Sequence, residues 1–119
     1  MANKVGEISS RVIDLLNLNM EPGTPIYIGE ANVKHMKSRH RTDYELYGHL
    51  IEEILDKPDY IGGREDGSVE YVKKVYVDNS YVKVAVRVSS RGTCFARTLY
   101  KLNENRVKNF IKKGTLVKY

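Results

Sequence analysis

The sequence predicts an α+β domain: helices first, then an antiparallel meander of strands, then one more helix, with the helices packed on one face of the sheet. Three observations carry that prediction. Val82, Val84, Val86 and Val88 alternate strictly with Tyr81, Lys83, Ala85 and Arg87, the pattern of a strand with one dry face and one wet, basic face. Upstream, Tyr47, Leu50, Ile51, Ile54 and Leu55 fall on one helical face. Downstream, Asn103 stands before Val107, Phe110 and Ile111 at helical spacing, with Gly114 placed to close that helix.

In chain order, Ser9 or Ser10 caps a short helix carrying Val12, Ile13 and Leu16, and the Asn-, Pro- and Gly-containing run from Asn17 to Thr24 reads as a loop. Pro25–Ile28 is a short strand, and Glu30–His40 a second helix. Thr42-Asp43-Tyr44-Glu45 reads as a capping box opening a third helix that runs to about Leu55, where Lys57-Pro58 stops it. Asp59–Ile61 is a short strand. Val69–Val77, Ser80–Ser89 and Thr93–Lys101 are three long strands, joined by a two-residue turn at Asp78-Asn79 and a turn at Ser90–Gly92. A last short strand is expected over Thr115–Tyr119.

The 119 residues suffice for one domain, read as 1–119 with a core from about 25 onward and a helix and loop over 1–24. Hydrophobic residues at 41% and charged residues at 29% suit a folded chain rather than a disordered one. The net charge of +5 favours an anionic partner such as nucleic acid or an acidic protein, and argues against an acidic nucleic-acid mimic. The single cysteine, Cys94, excludes an internal disulfide and a cysteine-based zinc site. No apolar run marks a signal peptide or a membrane span, so a cytoplasmic protein with no membrane partner is expected.

One stretch concentrates chemistry. Lys34 to His40 reads Lys-His-Met-Lys-Ser-Arg-His and holds two of the three histidines beside cations. Histidine exchanges protons near neutrality, with an ordinary pKa of about 6.5, and lysine and arginine hold phosphates. On an ideal helix His40 follows the inner stripe of Val33 and Met36, while His35 turns to the side of Asn32 and Arg39. The two histidines therefore share a site only if the helix ends before His40 or the site straddles a helix end. On the sheet, the expected register pairs Val75 with Val82 and Val84 with Arg97. It places Tyr81, Lys83, Ala85 and Arg87 beside Tyr100, Thr98, Ala96 and Cys94 on the basic face. Arg97 then falls on the valine face, where a buried guanidinium needs a partner, unless a bulge re-aims it or it lies at an edge.

These residues resemble the phage-encoded branch of the barnase/EndoU/colicin/RelE-like nucleases. The likeness is carried by Val33–His40, by Glu53–Ile61 with its Pro58-Asp59-Tyr60-Ile61, by Cys94–Tyr100 and by Phe110–Thr115, in an order that spans Tyr27 to the end of the sequence. The resemblance implies helices before a four-stranded antiparallel sheet. It further implies RNA cleavage by attack of the ribose 2′-hydroxyl, leaving a 2′,3′-cyclic phosphate, with no metal and no cofactor. On that likeness His35 and His40 take acid and base roles, Arg97 or Lys83 clamps the phosphate and Thr98 hydrogen-bonds it. Lys34, Lys37, Arg87 and Arg91 guide the backbone, and Tyr81 or Tyr100 stacks a base. The partners implied are RNA, with tRNA a candidate, and an immunity or antitoxin protein if the chain is a toxin. Two rival readings stand beside this one. The first is a binding module for RNA or a host protein that keeps the fold without the chemistry. The second is a head-associated phage protein in which the histidines are structural.

Overall fold

The protein is described by a computed structural model over residues 2–119. Its elements are β1 (Asn3–Ile8), α1 (Ser10–Leu16), β2 (Thr24–Ile28), α2 (Glu30–Arg39), α3 (Arg41–Tyr47), a 3₁₀ turn (Gly48–Leu50), α4 (Ile51–Asp56), β3 (Tyr60–Gly63), β4 (Val69–Val75), β5 (Ser80–Val88), β6 (Cys94–Leu102), α5 (Glu104–Lys112) and β7 (Val117–Lys118). The expected caps form: Ser9 accepts a hydrogen bond from the Val12 amide, and Asn103 from the Asn105 amide.

The sheet corrects the expected fold. It has seven strands in the order β1-β2-β6-β5-β4-β3-β7, and β2 runs parallel to β6, so the sheet is mixed and not a four-stranded antiparallel one. The strand absent from the sequence reading is β1. Its residues, Asn-Lys-Val-Gly-Glu-Ile, lack clean alternation because a register shift falls between Lys4 and Gly6. The chain therefore begins with a strand, not with helices. The single helix expected over 42–55 is also broken. His40 caps α3 with its backbone alone, Glu45 pairs with Arg41 instead of forming a capping box, and the chain passes through the 3₁₀ turn at Gly48 before α4 starts. A side chain at Gly48 would stand 3.1 Å from the Tyr44 ring, which would have to give by a few tenths of an ångström.

Register explains which faces the sequence reading assigned correctly. The β4–β5 turn occupies four residues rather than two, so Val75 pairs with Ser80 and Tyr71 with Val84. That is a shift of two from the expected pairs, which leaves every side chain on its expected face. In β5–β6 a bulge intervenes. Ala85 pairs with Thr98 but Val86 pairs with Ala96, leaving Arg97 as the extra residue. Before the bulge Lys83 and Ala85 share a face with Tyr100 and Thr98, as expected. Beyond it the assignment is inverted: Ala96 and Cys94 join the valine face, and Phe95 joins Arg87 on the other.

Helices cover both faces. The main core joins Val82, Val84, Val86 and Leu99 to Val12, Met36, Tyr47, Ile51, Ile54 and Leu55 of the first four helices. On the opposite face α5 packs through Val107 onto Val72, Leu102 and Leu116, flanked by Tyr60, Tyr81, Tyr100 and Phe110. Ile111, expected inward, is exposed. One-sided packing is thus also corrected. Because α5 covers only one end of this second face, the row that includes Arg87 and Phe95 stays open.

Two outcomes check the packing. A methyl group at Gly62 would stand 2.4 Å from the Thr115 carbonyl oxygen. Gly62→Ala should therefore destabilise the protein by about 1–3 kcal/mol in urea titration and raise amide exchange in β7 first. Tyr47 donates a 2.5 Å hydrogen bond to Asp78 Oδ2, and that bond is the leading reason the Asp78 carboxyl sits below its usual range. A depressed carboxyl contributes stability above its unfolded pKa and loses it as pH falls through the folded one. Tyr47→Phe should flatten that acid-side loss, read as the urea midpoint between about pH 5 and pH 2.

Candidate functional site on the basic face

Pairing between β2 and β6 lasts for two residue pairs, Ile26 with Cys94 and Tyr27 with Phe95. The chain then leaves β2 and winds into α2, which with α3 lies along the remainder of β6. Asp43 of α3 accepts a hydrogen bond from the Lys101 amide at 3.0 Å, satisfying a strand edge that no strand covers.

His40 sits at the joint. Helix α2 ends at Arg39, one residue before the expected end. The His40 amide bonds the Met36 carbonyl and its own carbonyl accepts from Tyr44, both at 2.8 Å, so one residue closes α2 and opens α3. Its ring stacks on Tyr100 of β6, centroids 4.8 Å apart and planes 28° from parallel. The Lys83 ammonium lies 4.5 Å from the Tyr100 ring centre. Lys83 is itself buried and bonded to Glu70 Oε2 at 2.7 Å, and Arg64 reaches the same oxygen at 3.3 Å. One row of contacts therefore crosses the sheet, from His40 through Tyr100 and Lys83 to Glu70 and Arg64.

Glu70 was not singled out from sequence, although the signal existed. It alternates with Val69 and Tyr71 in a strand, and the expected register already put it on the face of Lys83 and Arg87. Its presence changes the reading of Lys83. A buried ammonium held by a buried carboxylate is not free to clamp a phosphate; it lies against the Tyr100 ring on which His40 stacks. Neither tyrosine proposed as a base platform has an open ring: Tyr100 carries His40, and Tyr81 packs in the cluster beneath α5.

The open part of the face is basic. Arg87 and Arg97 are exposed, and Thr98 stands half-buried one residue from Arg97. The bulge brings Arg97 to the rim of a depression that it shares with Arg87, Phe95, Ser89 and Asn32. Tyr27 braces Phe95, ring centres 6.4 Å apart. Arg87 also faces the β3–β4 turn. There the Asp66 carboxyl is held below its usual range, chiefly by hydrogen bonds from Ser68 and further by the charges of Arg87 and Arg64. Arg91 is exposed on the β5–β6 turn.

The remaining expected residues divide by the sides of α2. His35, half-buried, lies one turn from Asn32 on the same side of the helix. Lys34 and Lys37 line a different hollow with Val33 and Ile28, and Lys37 lies 5.7 Å from the Tyr44 ring centre; the structure does not bring them to the basic face. Cys94 is buried, and burial raises its thiol above the usual range, consistent with a packed, unreactive residue.

The buried pair makes a testable prediction. Lys83→Met leaves Glu70 without its buried partner and should cost about 3–5 kcal/mol in chemical denaturation. Adding Glu70→Leu removes the stranded charge and should recover most of that loss. A double variant no more stable than the single one would show that the pair is not coupled as drawn.

Among the described residues no helix is long and apolar enough to cross a membrane. Comparison with known proteins gave one finding: a family model described as phage-Barnase-EndoU-ColicinE5/D-RelE like nuclease3 matches residues 3–109. No curated protein and no solved structure was found to match.

Proposed function

Since the chain belongs to this phage Barnase-EndoU-ColicinE5/D-RelE like nuclease family, we propose that it is an endoribonuclease that cuts by 2′-hydroxyl attack, leaving a 2′,3′-cyclic phosphate and a 5′-hydroxyl. The observation that carries this reading is the placement of His40. Its backbone is fixed by two helices and its ring by Tyr100, on the same sheet face as Thr98, Arg87 and Arg97. An acid or base must reach its proton within hydrogen-bond range, and a group held this firmly loses little on ordering.

In this reading His40 exchanges a proton with the ribose 2′-hydroxyl or the leaving 5′-oxygen. His35, on the Asn32 side of α2, supplies the second acid–base group. Arg97 and Thr98 bond the phosphate oxygens, and Arg97 offsets the charge that grows on them in the transition state. Arg87 and Arg91 steer the RNA backbone toward the site. Lys83 and Glu70 act through Tyr100 as positioning residues. Metal independence, structured RNA such as tRNA as the target, a toxin role in the cytoplasm, and an immunity or antitoxin protein that covers the basic face all belong to this proposal.

Purified protein should therefore cut total RNA in EDTA and leave cyclic phosphate ends. His40→Ala keeps the backbone bonds of the joint and should lower kcat/KM by about 10²- to 10⁴-fold. A loss of less than tenfold would remove His40 from the chemistry. The second reading, a module that binds without cutting, is favoured by one observation: a stacked partner covers the His40 ring. Salt-sensitive RNA binding with no cleavage at high protein concentration would select it.

A further inference from the structure

Away from the basic face, the large apolar side chains most exposed to water among the described residues stand together. Val77 is 98% exposed, Tyr76 76% and Leu46 54%, and all three line one hollow of about 500 Å³. Single apolar residues scattered over a surface need no explanation, but a group around a hollow marks a contact. One wall comes from Leu46 of α3, Leu50 of the 3₁₀ turn and Glu53 of α4; the other is the run from Lys73 to Asp78, where β4 passes into its turn. Both ends of that run are tied down. Tyr47 donates to Asp78 at the turn, and the Lys73 ammonium donates to the Lys57 carbonyl at 2.7 Å. A surface shaped before binding loses little on ordering.

The charges around the apolar centre select what covers it. Lys73 and Lys74 are matched by Glu53 and Asp78, so the lining is electrically balanced on a chain whose net charge is +5. A polyanion or an acidic protein would meet two carboxylates here, and a basic one would meet two lysines. The complement is a surface that carries both signs about an apolar middle, and this chain has one. We infer that the hollow is a self-association surface, closed by the same hollow of a second copy across a two-fold axis. In such a contact residue i meets j and j meets i, so the two hollows lie head to tail. Lys73 and Asp78 are the two ends of the strand wall, and head-to-tail placement sets each against the other in the second copy. Both have capacity left. Lys73 uses one of its three protons on the Lys57 carbonyl, and each Asp78 oxygen accepts one bond, from Tyr47 and from the Ser80 amide. Leu46 and Val77 of the two copies fill the centre. Three exposed apolar side chains fall short of the roughly 800 Å² per partner of a standard complex, so the dimer is weak and forms with concentration. The hollow lies on the helix-bearing side of the sheet, so pairing leaves Arg87 and Arg97 of both copies uncovered.

The test is sedimentation equilibrium of the full chain over concentrations from about 1 μM to about 1 mM, a range that brackets weak protein contacts. The average mass should climb from 13.7 kDa toward twice that value and stop there. Val77→Asp puts a carboxylate into the apolar centre of both copies and should weaken association by at least about tenfold. Because Val77 is almost wholly exposed, its urea midpoint as a dilute monomer should stay that of the parent. Lys73→Glu opposes Asp78 at both symmetric contacts and should weaken the dimer by about 3- to 30-fold, an effect that shrinks in high salt. A chain that is still monomeric at the top of the range overturns the inference and leaves the hollow to a partner of another sequence. A dimer untouched by Val77→Asp lies elsewhere on the surface and overturns it too. Loss with Val77→Asp but none with Lys73→Glu removes the head-to-tail pairing, and a mass that grows past the dimer removes the two-fold axis.

Discussion

The outer edge of β6 is the constraint on which this molecule depends. Past Phe95 that edge has no strand beside it, because β2 has ended and the chain has become helix. An exposed edge of this length leaves backbone donors and acceptors without partners, which a buried position does not tolerate. The chain answers with α2 and α3, with the Asp43 carboxylate on the Lys101 amide, and with the Tyr100 ring against His40. The joint between the two helices lies beside the β6 edge, and a titratable side chain occupies it. Closing the edge and presenting a histidine to the basic face are the same structural event.

The Glu70–Lys83 pair contributes in a different currency. Two buried charges give up solvation that their mutual attraction roughly returns, so such a pair adds little to stability over apolar residues of the same size. What it adds is direction. Lys83 is held by Glu70, and its ammonium rests against Tyr100, so the ring that carries His40 has a fixed partner on the sheet. Arg64 supplies a second cation to the carboxylate from its exposed position. Arg87, Arg91 and Arg97 are exposed, whereas Lys83 is buried.

Much of this was legible in the sequence, for physical reasons that can be named. Side-chain caps such as Ser9 and Asn103 act over three residues, so they read locally. Valine alternation in β5 survives any even slip in pairing, which is why the faces of Lys83, Thr98 and Tyr100 were correct although the pairs were not. The bulge was anticipated only as one escape for Arg97; its odd offset inverted Ala96, Cys94 and Phe95. β1 stayed hidden because its own register shift erases the alternation, and because its antiparallel neighbour β2 joins the sheet through a parallel pairing with β6 between residues far apart in the chain. The break at Gly48 sits close against the Tyr44 ring of the preceding turn, a contact that no periodicity records. Glu70 carries no motif of its own; its signal is a carboxylate in alternation with Val69 and Tyr71 on an otherwise basic face. α2 ends at Arg39, so His40 leaves the helical track on which its ring and that of His35 are expected to point apart.

The two outer strands of the sheet carry a consequence for self-association. β7 is two residues long, too short to template another strand. β1 is interrupted between Lys4 and Gly6 and carries Lys4 and Glu7 as an exposed ion pair. Irregularity and charge at a border are the means by which sheets refuse an uninvited neighbour. A seven-stranded sheet with both borders blunted in this way can remain a discrete particle at high concentration, and contacts with other copies would have to use faces rather than ladders.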